Sequence, residues 1–514
     1  MNKHYFSYKE TGFFSKLILD YLDQKMPDDL YSNYLDINTI ENQIFEKKNQ
    51  VINRELLFDV IKSQNAQIVL SDVSVNNLEL IKDESTFTVT TGHQLCLFGG
   101  PLYFIYKIIS TINLTEILKT KYPKYNFIPI FWMASEDHDF AEINHVNLFG
   151  KKYIWDTQQS GMVGDFQTNN IDSLINEIFD SVTPTIYSNE LKDLLIKCYR
   201  DNTLSFSTRR LINEFFGKYG VLVLDPSDSR LKQEFIPVMK RDIVNNELYE
   251  LIKRQSNRLS ENYKVQAHVR EINFFKLSKN KRERIVKDVN EREIDLSPEN
   301  FSPNVLMRPL YQEMILPNLV YVGGPAEISY WMQLKTAFKS MNIVFPILAL
   351  RNSVIIMESS DYQIWKNTNL DFKEIFSPLS IIEKRIVSHF SPDSFITDEK
   401  SSLLTIYNKI LQKTDDNNLK SFIESNFSSH KKDIDHIEKK IIKSKKLDHQ
   451  RLIKKVSRIK KKLFPANSLQ DRYDCFIHLY LIHGKRFIEI LKEEIDPLNL
   501  NFLLLSIKDS EYDS

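Results

Sequence analysis

Short apolar runs alternate with longer stretches of helical spacing over the first 360 residues of the chain. In the segment 85–139, a β-branched run over 86–91 leads into a helical stretch and then into a second apolar run over 127–134. The apolar face of the helical stretch is formed by Leu102, Ile105, Ile108, Ile109 and Ile112. This order of strand, helix and strand predicts a unit of a parallel sheet, whose polar groups gather at the carboxyl edge.

Four later apolar runs have the length of buried strands, and helical stretches separate most of them. They cover residues 221–224, 318–322, 343–350 and 353–358. Alternation of this kind is typical of a doubly wound α/β sheet. We therefore predict an α/β core with a parallel, doubly wound sheet over 85–360. Two insertions interrupt this core, over about 150–218 and 256–300.

Smaller elements surround the predicted sheet. Residues 144–156 alternate around Gly150-Lys151 and predict a hairpin, and residues 501–507 predict an edge strand that returns to the sheet. Three short runs predict a small antiparallel insertion: 265–270, 272–278 and 284–289.

The composition changes after about residue 361, because the chain becomes strongly polar and keeps helical spacing over 391–463. Between Lys431 and Lys462 there are 14 Lys or Arg and 4 Asp or Glu, a net charge of +10. Apolar residues recur there at three-four spacing, with one gap of the length that a stutter gives. They are Ile434, Ile437, Ile441, Leu452, Val456, Ile459 and Leu463. We predict a projecting antiparallel coiled coil.

These patterns predict four parts of the chain. Residues 1–84 form a mainly helical part of the core, and 85–360 contain the sheet and its insertions. Residues 361–467 form the coiled-coil domain, and 468–514 begin with a helix that returns to the core.

Composition restricts the class of protein. The 514 residues are 42% hydrophobic, and 68 basic residues balance 68 acidic ones, so no overall charge favours a nucleic-acid partner. The three cysteines are far apart, which favours a reducing compartment over a disulfide framework. The N-terminus lacks the apolar centre of a signal peptide, and no run has the length of a membrane span. We predict a cytoplasmic protein.

Glycine is scarce, with 12 residues where average usage of about 7% would give roughly 36. Four of the 12 lie in two Gly-Gly-Pro triplets, Gly99-Gly100-Pro101 and Gly323-Gly324-Pro325, each of which opens a helical stretch. Such a helix start can present free backbone N–H groups to an anion, although it is also simply a good helix start. Three side chains near the triplets complete this candidate site: Tyr103, Glu327 and Tyr330.

Polar residues follow both strands of the opening unit. Gly92, His93 and Gln94 come after the first strand, where His93 is either a donor to a phosphate or leaving group or a turn histidine. After the second strand come four ionisable residues, Glu136, Asp137, His138 and Asp139, with Glu142 and His145 following. This cluster can hold a substrate's amine and hydroxyls, can be a solvated loop, or can contribute to a metal site. The seven-residue spacing of its histidines is not a zinc signature, and we predict no metal.

Cys96 has no base placed near it by the sequence, so we interpret it as a small buried residue and not as a nucleophile.

Four segments together resemble the bacillithiol-biosynthesis cysteine-adding enzymes. They are TGHQLCLFGGPLYFIYK, IPIFWMASEDHDFAEINHV, RPLYQEMILPNLVYVGGPAEISYWMQLK and KLFPANSLQDR. The resemblance implies a Rossmann-like core related to class I aminoacyl-tRNA synthetases, with connecting insertions and a coiled coil that forms a homodimer. It also implies a ligase that joins the carboxylate of cysteine to the amine of glucosaminyl-malate, forming bacillithiol.

An amide forms from a carboxylate only after activation, so we expect ATP as cosubstrate. The developing phosphate charge would lie at Gly99 and Gly100 beside His93. The 136–138 cluster would hold the amine, and one of its members would take a proton.

Two features depart from the synthetase pattern. The HIGH motif is represented only by Gly92-His93, and the KMSKS-like Lys276-Leu277-Ser278-Lys279-Asn280 lies in the predicted inserted hairpin. Two alternatives therefore stay open: a synthetase-like protein that binds tRNA through the basic coiled coil, and a structural scaffold.

Overall fold

The computed structural model describes residues 1–286, 289–390 and 396–507. Its strands are β1 (Asn2–Phe6), β2 (Thr86–His93), β3 (Asn126–Met133), β4 (His145–Leu148), β5 (Lys151–Ile154), β6 (Leu222–Leu224), β7 (Phe274–Ser278), β8 (Lys281–Arg284), β9 (Phe301–Pro303), β10 (Asn318–Gly323), β11 (Ile347–Leu350), β12 (Val354–Glu358) and β13 (Phe502–Ile507).

Helices α1 to α12 are α1 (Tyr8–Thr11), α2 (Lys16–Leu22), α3 (Ile40–Lys48), α4 (Arg54–Gln64), α5 (Asp72–Leu80), α6 (Tyr103–Lys121), α7 (Phe140–Ile143), α8 (Ile171–Ser181), α9 (Ser188–Tyr199), α10 (Leu204–Phe216), α11 (Ser229–Ile243) and α12 (Glu247–Ser260). The later helices are α13 (Glu291–Leu296), α14 (Met307–Ile315), α15 (Pro325–Trp331), α16 (Lys335–Ser340), α17 (Ser359–Lys366), α18 (Leu379–Phe390), α19 (Thr397–Leu411), α20 (Asn417–Leu463), α21 (Ile477–His483) and α22 (Arg486–Glu494).

The chain divides into two compact units. The larger comprises Tyr5–Ile355 and Ser468–Leu504. The smaller comprises Met1–His4, Ile356–Asn467 and the end of β13 from Leu505. Among the described residues, none of the helices combines the length and the apolar character needed to cross a bilayer.

A five-stranded parallel sheet organises the larger unit, in the order β11-β10-β2-β3-β6. This confirms the predicted α/β class. Strands β2 and β3 pair along their full length, from Thr86 opposite Asn126 to His93 opposite Met133. Because all five strands run in the same direction, the residues that follow them meet at one edge.

The strands of this sheet are buried because their side chains pack against helices. One apolar cluster joins α3, α6 and the strands β2, β3, β10 and β11. Its members include Ile44, Val89, Leu114, Phe127 and Val320, each at most 1% exposed. A strand buried in this way reads as a continuous apolar run, which is why the sequence predicted it.

The smaller sheet differs from the prediction. It has the order β1-β13-β12, so the run 501–507 forms its central strand and not an edge strand of the parallel sheet. All six residues of β13 are buried, as expected of a strand with a neighbour on each side. The first strand lies in a region that we predicted to be mainly helical.

The predicted hairpins are present, with one change. Strands β4 and β5 pair antiparallel around Gly150, as predicted. In the second insertion β7 pairs antiparallel with β8, but its other neighbour is β9 and not the run 265–270. The third predicted run, 284–289, contributes only Arg284 to β8, and its residues Lys287 and Asp288 lie outside the described residues.

Helices of the smaller unit pair antiparallel, as predicted. Lys400 of α19 bonds to Asp435 and Glu438 of α20, whereas Tyr407, further along α19, bonds to His430, which lies earlier in α20. Among the described side chains of the 47-residue α20, the buried apolar ones lie near its end, where Val456, Ile459 and Leu463 are at most 3% exposed. Ile437 of the predicted seam is 53% exposed.

The connection from β2 to α6 turns sharply at Gly100. Its φ is +65°, and a Cβ there would lie 2.5 Å from the Cβ of Cys96. A side chain would therefore meet both an unfavourable backbone conformation and a steric clash.

We predict that Gly100→Ala lowers the free energy of unfolding by about 3 kcal/mol or more. Gly12→Ala is the matched control, because Gly12 has a φ of +73° and nothing lies within 4 Å of the point that its Cβ would occupy. The control should lose only about 1–2 kcal/mol, from backbone strain alone. Urea denaturation measures both losses. Equal losses would show that the clash with Cys96 does not lower the free energy of unfolding.

Candidate active site

A cleft of about 1160 Å³ opens at the carboxyl edge of the parallel sheet, within the larger unit. Residues from the ends of β2, β3 and β10 form its floor, and the β7–β8 hairpin and the start of α14 form other parts of its wall. Of the residues that we predicted, it is lined by Gly92, His93, Gln94, Tyr103, Glu136, Asp137, Gly324, Glu327 and Tyr330.

The carboxylate of Glu327 is held by three hydrogen-bond donors in this cleft. It accepts hydrogen bonds from Lys107 Nζ at 2.6 Å, from the Tyr321 hydroxyl at 2.5 Å and from the Gly324 amide at 2.7 Å. Lys107 also donates to the carbonyl of Gly92. Burial by itself would raise the pKa of Glu327, but Lys107, Tyr321 and the Gly324 amide together hold it at about 2. Glu327 is therefore a permanent anion.

The second Gly-Gly-Pro junction is consequently not an open anion site. Helix α15 begins at Pro325, as predicted, but the Gly324 amide is already bound by Glu327 in a capping box. The chain supplies its own anion to this amide, so the Gly324 N–H is not free for an anion of a ligand, as the sequence had suggested it could be.

The first junction also lacks free amides. The amides of Gly99 and Gly100 donate to the carbonyls of Cys96 and Leu97 in a 3-10 turn, and α6 begins only at Tyr103. The amide of Leu102 donates to the carbonyl of Asp474. Neither glycine lines the large cleft. This glycine pair therefore allows a tight buried turn, and its amides are not free to bind a phosphate.

His93 lies at the end of β2 and faces the cleft. Its ring stacks on Tyr103, with 5.1 Å between the ring centroids and 10° between the planes. Burial, with the nearby charge of Lys107, lowers the pKa of His93 from 6.5 to about 3. The buried Nε2 has no hydrogen-bond partner among the described residues. His93 is therefore a neutral imidazole with one polar atom available to a ligand.

Glu136 faces inward and already has a cation as its partner. Its carboxylate is 2.6 Å from Nζ of Lys232, which is fully buried, and it accepts a hydrogen bond from Ser302 at 3.1 Å. Lys232 also donates to the carbonyl of Phe301. Glu136 thus attaches β9 to the end of β3, and its charge is neutralised by the chain itself.

Asp137 and Glu142 form an acidic pair at the mouth of the cleft. The side-chain amide of Gln94 donates to both, at 2.8 Å and 2.9 Å. Burial favours protonation of Asp137, but the hydrogen bonds from Gln94 and from the amide of His138, with the charge of Arg282, lower its pKa below the ordinary value. Asp137 is therefore a carboxylate at neutral pH.

The other two members of the predicted cluster differ from Asp137. His138 is half exposed, and its Nδ1 is 3.0 Å from Nη1 of Arg282. Because a guanidinium only donates, this nitrogen acts as the acceptor. Asp139 is the residue before α7 and does not line the cleft.

The sequence did not identify most of the basic residues of the cleft. They are Lys107, Arg270, Arg282, Arg284, Arg308, Arg351 and Arg472. Arg351 is 2.8 Å from Asp471, and both side chains are at most 3% exposed. The sequence does contain one indication of the role of Lys107. This lysine interrupts the apolar helical run of α6, and a lysine in such a position is buried only when it has a partner.

Cysteine, histidine and carboxylate side chains are the residues that could supply metal or thiol chemistry. Among the described residues, no group of three or more His, Cys, Asp or Glu side chains is placed to hold a metal ion. Cys96, Cys198 and Cys475 are free and buried, and burial raises the pKa of each thiol to about 12. A buried thiol of this kind is a poor nucleophile.

We predict that His93 stays neutral from pH 8 down to pH 5. NMR of the imidazole, assigned with the variant His93→Gln, should show no titration in this range, and a midpoint near 6.5 would contradict the account. Since the unfolded chain binds this proton at its ordinary pKa, His93 also makes the free energy of unfolding fall as pH decreases from about 6.5 toward 3.

Comparison with known proteins gives two matches to family models, which meet near residue 353. Residues 1–352 match the model of the N-terminal Rossmann-like domain of bacillithiol biosynthesis BshC, and residues 354–507 match that of its C-terminal coiled-coil domain. A relative from Flavobacterium johnsoniae, named "Putative cysteine ligase BshC", is 39% identical over 98% of this chain and 99% of its own length.

Two further relatives bear the same name. That of Flavobacterium psychrophilum is 37% identical over 97% of this chain and 98% of its own length. That of Staphylococcus haemolyticus is 25% identical over 90% of this chain and 92% of its own length. The matches extend over both domains, and the chain belongs to the BshC family of bacillithiol biosynthesis.

Proposed function

We propose that this protein is a ligase that joins the carboxylate of L-cysteine to the amine of glucosaminyl-malate. The observation that carries the proposal is that one cleft is lined both by carboxylates, at Asp137 and Glu142, and by arginines, among them Arg308. An amine substrate needs the first, and carboxylate or phosphate groups need the second. The name of the relatives, putative cysteine ligase, supports cysteine as one substrate, and glucosaminyl-malate is the acceptor that the sequence resemblance implies.

The chemistry requires an activated carboxylate. We propose that ATP, as cosubstrate, activates the carboxylate of cysteine. A carboxylate oxygen attacks a phosphorus atom of ATP and forms a mixed anhydride, and pyrophosphate or ADP leaves with the electrons of the broken P–O bond. The amine then attacks the carbonyl carbon, the new C–N bond forms, and the phosphate-bearing group leaves with the electrons of the broken C–O bond. We propose that side chains of the cleft stabilise this negative charge, because the amides of Gly99, Gly100 and Gly324 are already bonded within the chain.

Asp137 is the residue that we propose for the acceptor amine. Its lowered pKa keeps it charged, so it can hold an ammonium group and orient it toward the carbonyl. A carboxylate of low pKa is a weak base in the resting complex. The nitrogen becomes far more acidic as the C–N bond forms, however, and Asp137 can then take its proton. Gln94 fixes the orientation of this carboxylate.

His93 has a different role from the one a charged histidine would have. Its ring is neutral and lies beside Lys107. It can form one hydrogen bond with the leaving group or the substrate without adding a positive charge to the cleft. Tyr103 holds the plane of the ring by stacking.

The alternative of tRNA binding rests on the charge of α20. Part of that charge is already compensated within the smaller unit, because Lys462 bonds to Glu358 and Asp361, and Arg458 lies 3.5 Å from Asp361. We therefore favour the ligase. Cytoplasmic location and a homodimer through the coiled coil remain predictions from the sequence.

We predict that Asp137→Asn abolishes bacillithiol formation. A bacterium without its own copy of the gene should accumulate glucosaminyl-malate, regain bacillithiol with the wild-type gene, and retain less than about 1% of it with Asp137→Asn, because a general base alone contributes about 10²–10⁴-fold. Liquid chromatography of labelled thiols measures both compounds.

Asp180→Asn is the matched control, since Asp180 is exposed on α8 and does not line the cleft. It should restore bacillithiol fully. Normal thiol levels in the deletion strain would contradict the proposed function, and full activity of Asp137→Asn would contradict the role of that residue.

A further inference from the structure

Arg308 differs from the other buried or half-buried cations that line the cleft because it forms no ion pair with a carboxylate among the described residues. Lys107 is paired with Glu327, Arg282 with Asp137 and Arg351 with Asp471, and the remaining lining arginines are exposed. Among the described residues, Arg308 forms no ion pair, and its hydrogen bonds go to neutral oxygens.

Those oxygens belong to one helix neighbour and two tyrosines. Nη1 donates to Gln312 at 3.0 Å, and Nη2 donates to the hydroxyls of Tyr330 at 3.0 Å and Tyr321 at 3.4 Å. The guanidinium also lies 5.3 Å from the centroid of the Tyr321 ring and 5.8 Å from that of Trp331. These contacts fix its position at the start of α14, on the wall of the cleft.

A partly buried charge of this kind is expensive unless an opposite charge is supplied. Here the protein supplies aromatic faces and hydroxyls, which hold the cation in place without cancelling it. Its positive charge therefore remains directed at the cleft, as in a site prepared for an anionic ligand.

Tyr330 adds a second donor to this site. Its hydroxyl oxygen accepts from Arg308, so its own proton is left to donate, and that proton has no acceptor among the described residues. Tyr321 differs, because its hydroxyl proton is given to Glu327. Arg308 and Tyr330 together thus present N–H and O–H donors from adjacent elements, α14 and α15.

We propose that Arg308 and Tyr330 form an anion subsite that binds a carboxylate or phosphate oxygen of a substrate. The acidic pair Asp137 and Glu142 lines the same cleft, so the site selects a molecule that carries an amine and an anionic group at separate positions. This inference rests on the proposed function for the assignment of the amine, but the anion subsite itself follows from the contacts of Arg308.

The test is isothermal titration calorimetry of the full-length protein with two probes, L-malate and inorganic phosphate. The wild type should bind at least one of them. Arg308→Gln should weaken that binding by about tenfold to hundredfold, since it removes a charged hydrogen-bond donor. Tyr330→Phe keeps the ring and removes the hydroxyl, and should weaken the binding by about threefold to tenfold.

Two further variants make the result specific. Arg308→Lys keeps the charge but loses the planar fork, and should bind with intermediate affinity. Arg254→Gln removes one positive charge from an exposed position on α12 outside the cleft, and should bind as the wild type does.

A loss confined to L-malate assigns the subsite to a carboxylate of the acceptor, and a loss confined to phosphate assigns it to the cosubstrate. The proposal is overturned if the wild type binds neither probe, or if Arg308→Gln and Tyr330→Phe bind as the wild type does. Should Arg308→Gln fail to fold by circular dichroism, Tyr330→Phe decides the matter.

These outcomes are separate from those of the proposed function. A deletion strain with normal bacillithiol would contradict the ligase but would leave the anion subsite intact. Unchanged anion binding in the variants would contradict the subsite but would leave the ligase intact.

Discussion

The ion pair between Lys107 and Glu327 is the interaction on which the cleft depends. It joins the beginning of α6 to the start of α15, and through the carbonyl of Gly92 it also reaches the end of β2. The side chain of Lys107 is only 4% exposed, so its charge requires a partner in that position. The pair therefore fixes the distance between two strand ends that would otherwise be connected only through the sheet.

Three features of the site follow from this pair. The anion at the start of α15 is part of the chain, so the helix end is occupied before any ligand arrives. Burial and the ammonium group beside His93 both disfavour a positive charge on its ring, so the histidine stays neutral. With Lys107 and Arg351 already neutralised, Arg308 is a half-buried cation without an ion pair among the described residues, and a ligand can match its charge.

The parallel sheet could be predicted from the sequence, because strands buried on both faces leave continuous apolar runs and the helices between them keep their spacing. The arrangement of β13 could not, since a run of six apolar residues shows that a strand is buried but not which strands lie beside it. The position of the cleft was predicted from the polar residues after β2 and β3. The partners of those residues and of Glu327 were not, because Lys232 is 96 residues from Glu136 in the sequence, and Lys107 is 220 residues from Glu327.

The Gly-Gly-Pro triplets are a second case in which the sequence does not reveal which groups are in contact. The sequence indicates where glycine is required, but Gly100 is required by a contact with Cys96 and Gly324 precedes a helix that Glu327 caps. Arg308 lies within one of the segments that resemble the family, yet a lone arginine at a helix start is ordinarily a solvated residue. Only the fold shows that Arg308 lines a cleft and that it forms no ion pair with a carboxylate among the described residues.

The most direct test of this account is a double-mutant cycle between Lys107→Met and Glu327→Gln, with the free energy of unfolding measured by urea denaturation. Each single variant leaves a buried group without its partner, so each should lose about 3–5 kcal/mol, and the double variant should lose much less than the sum of the two. Losses that simply add would show that the two residues act independently, and would contradict the central role of the pair.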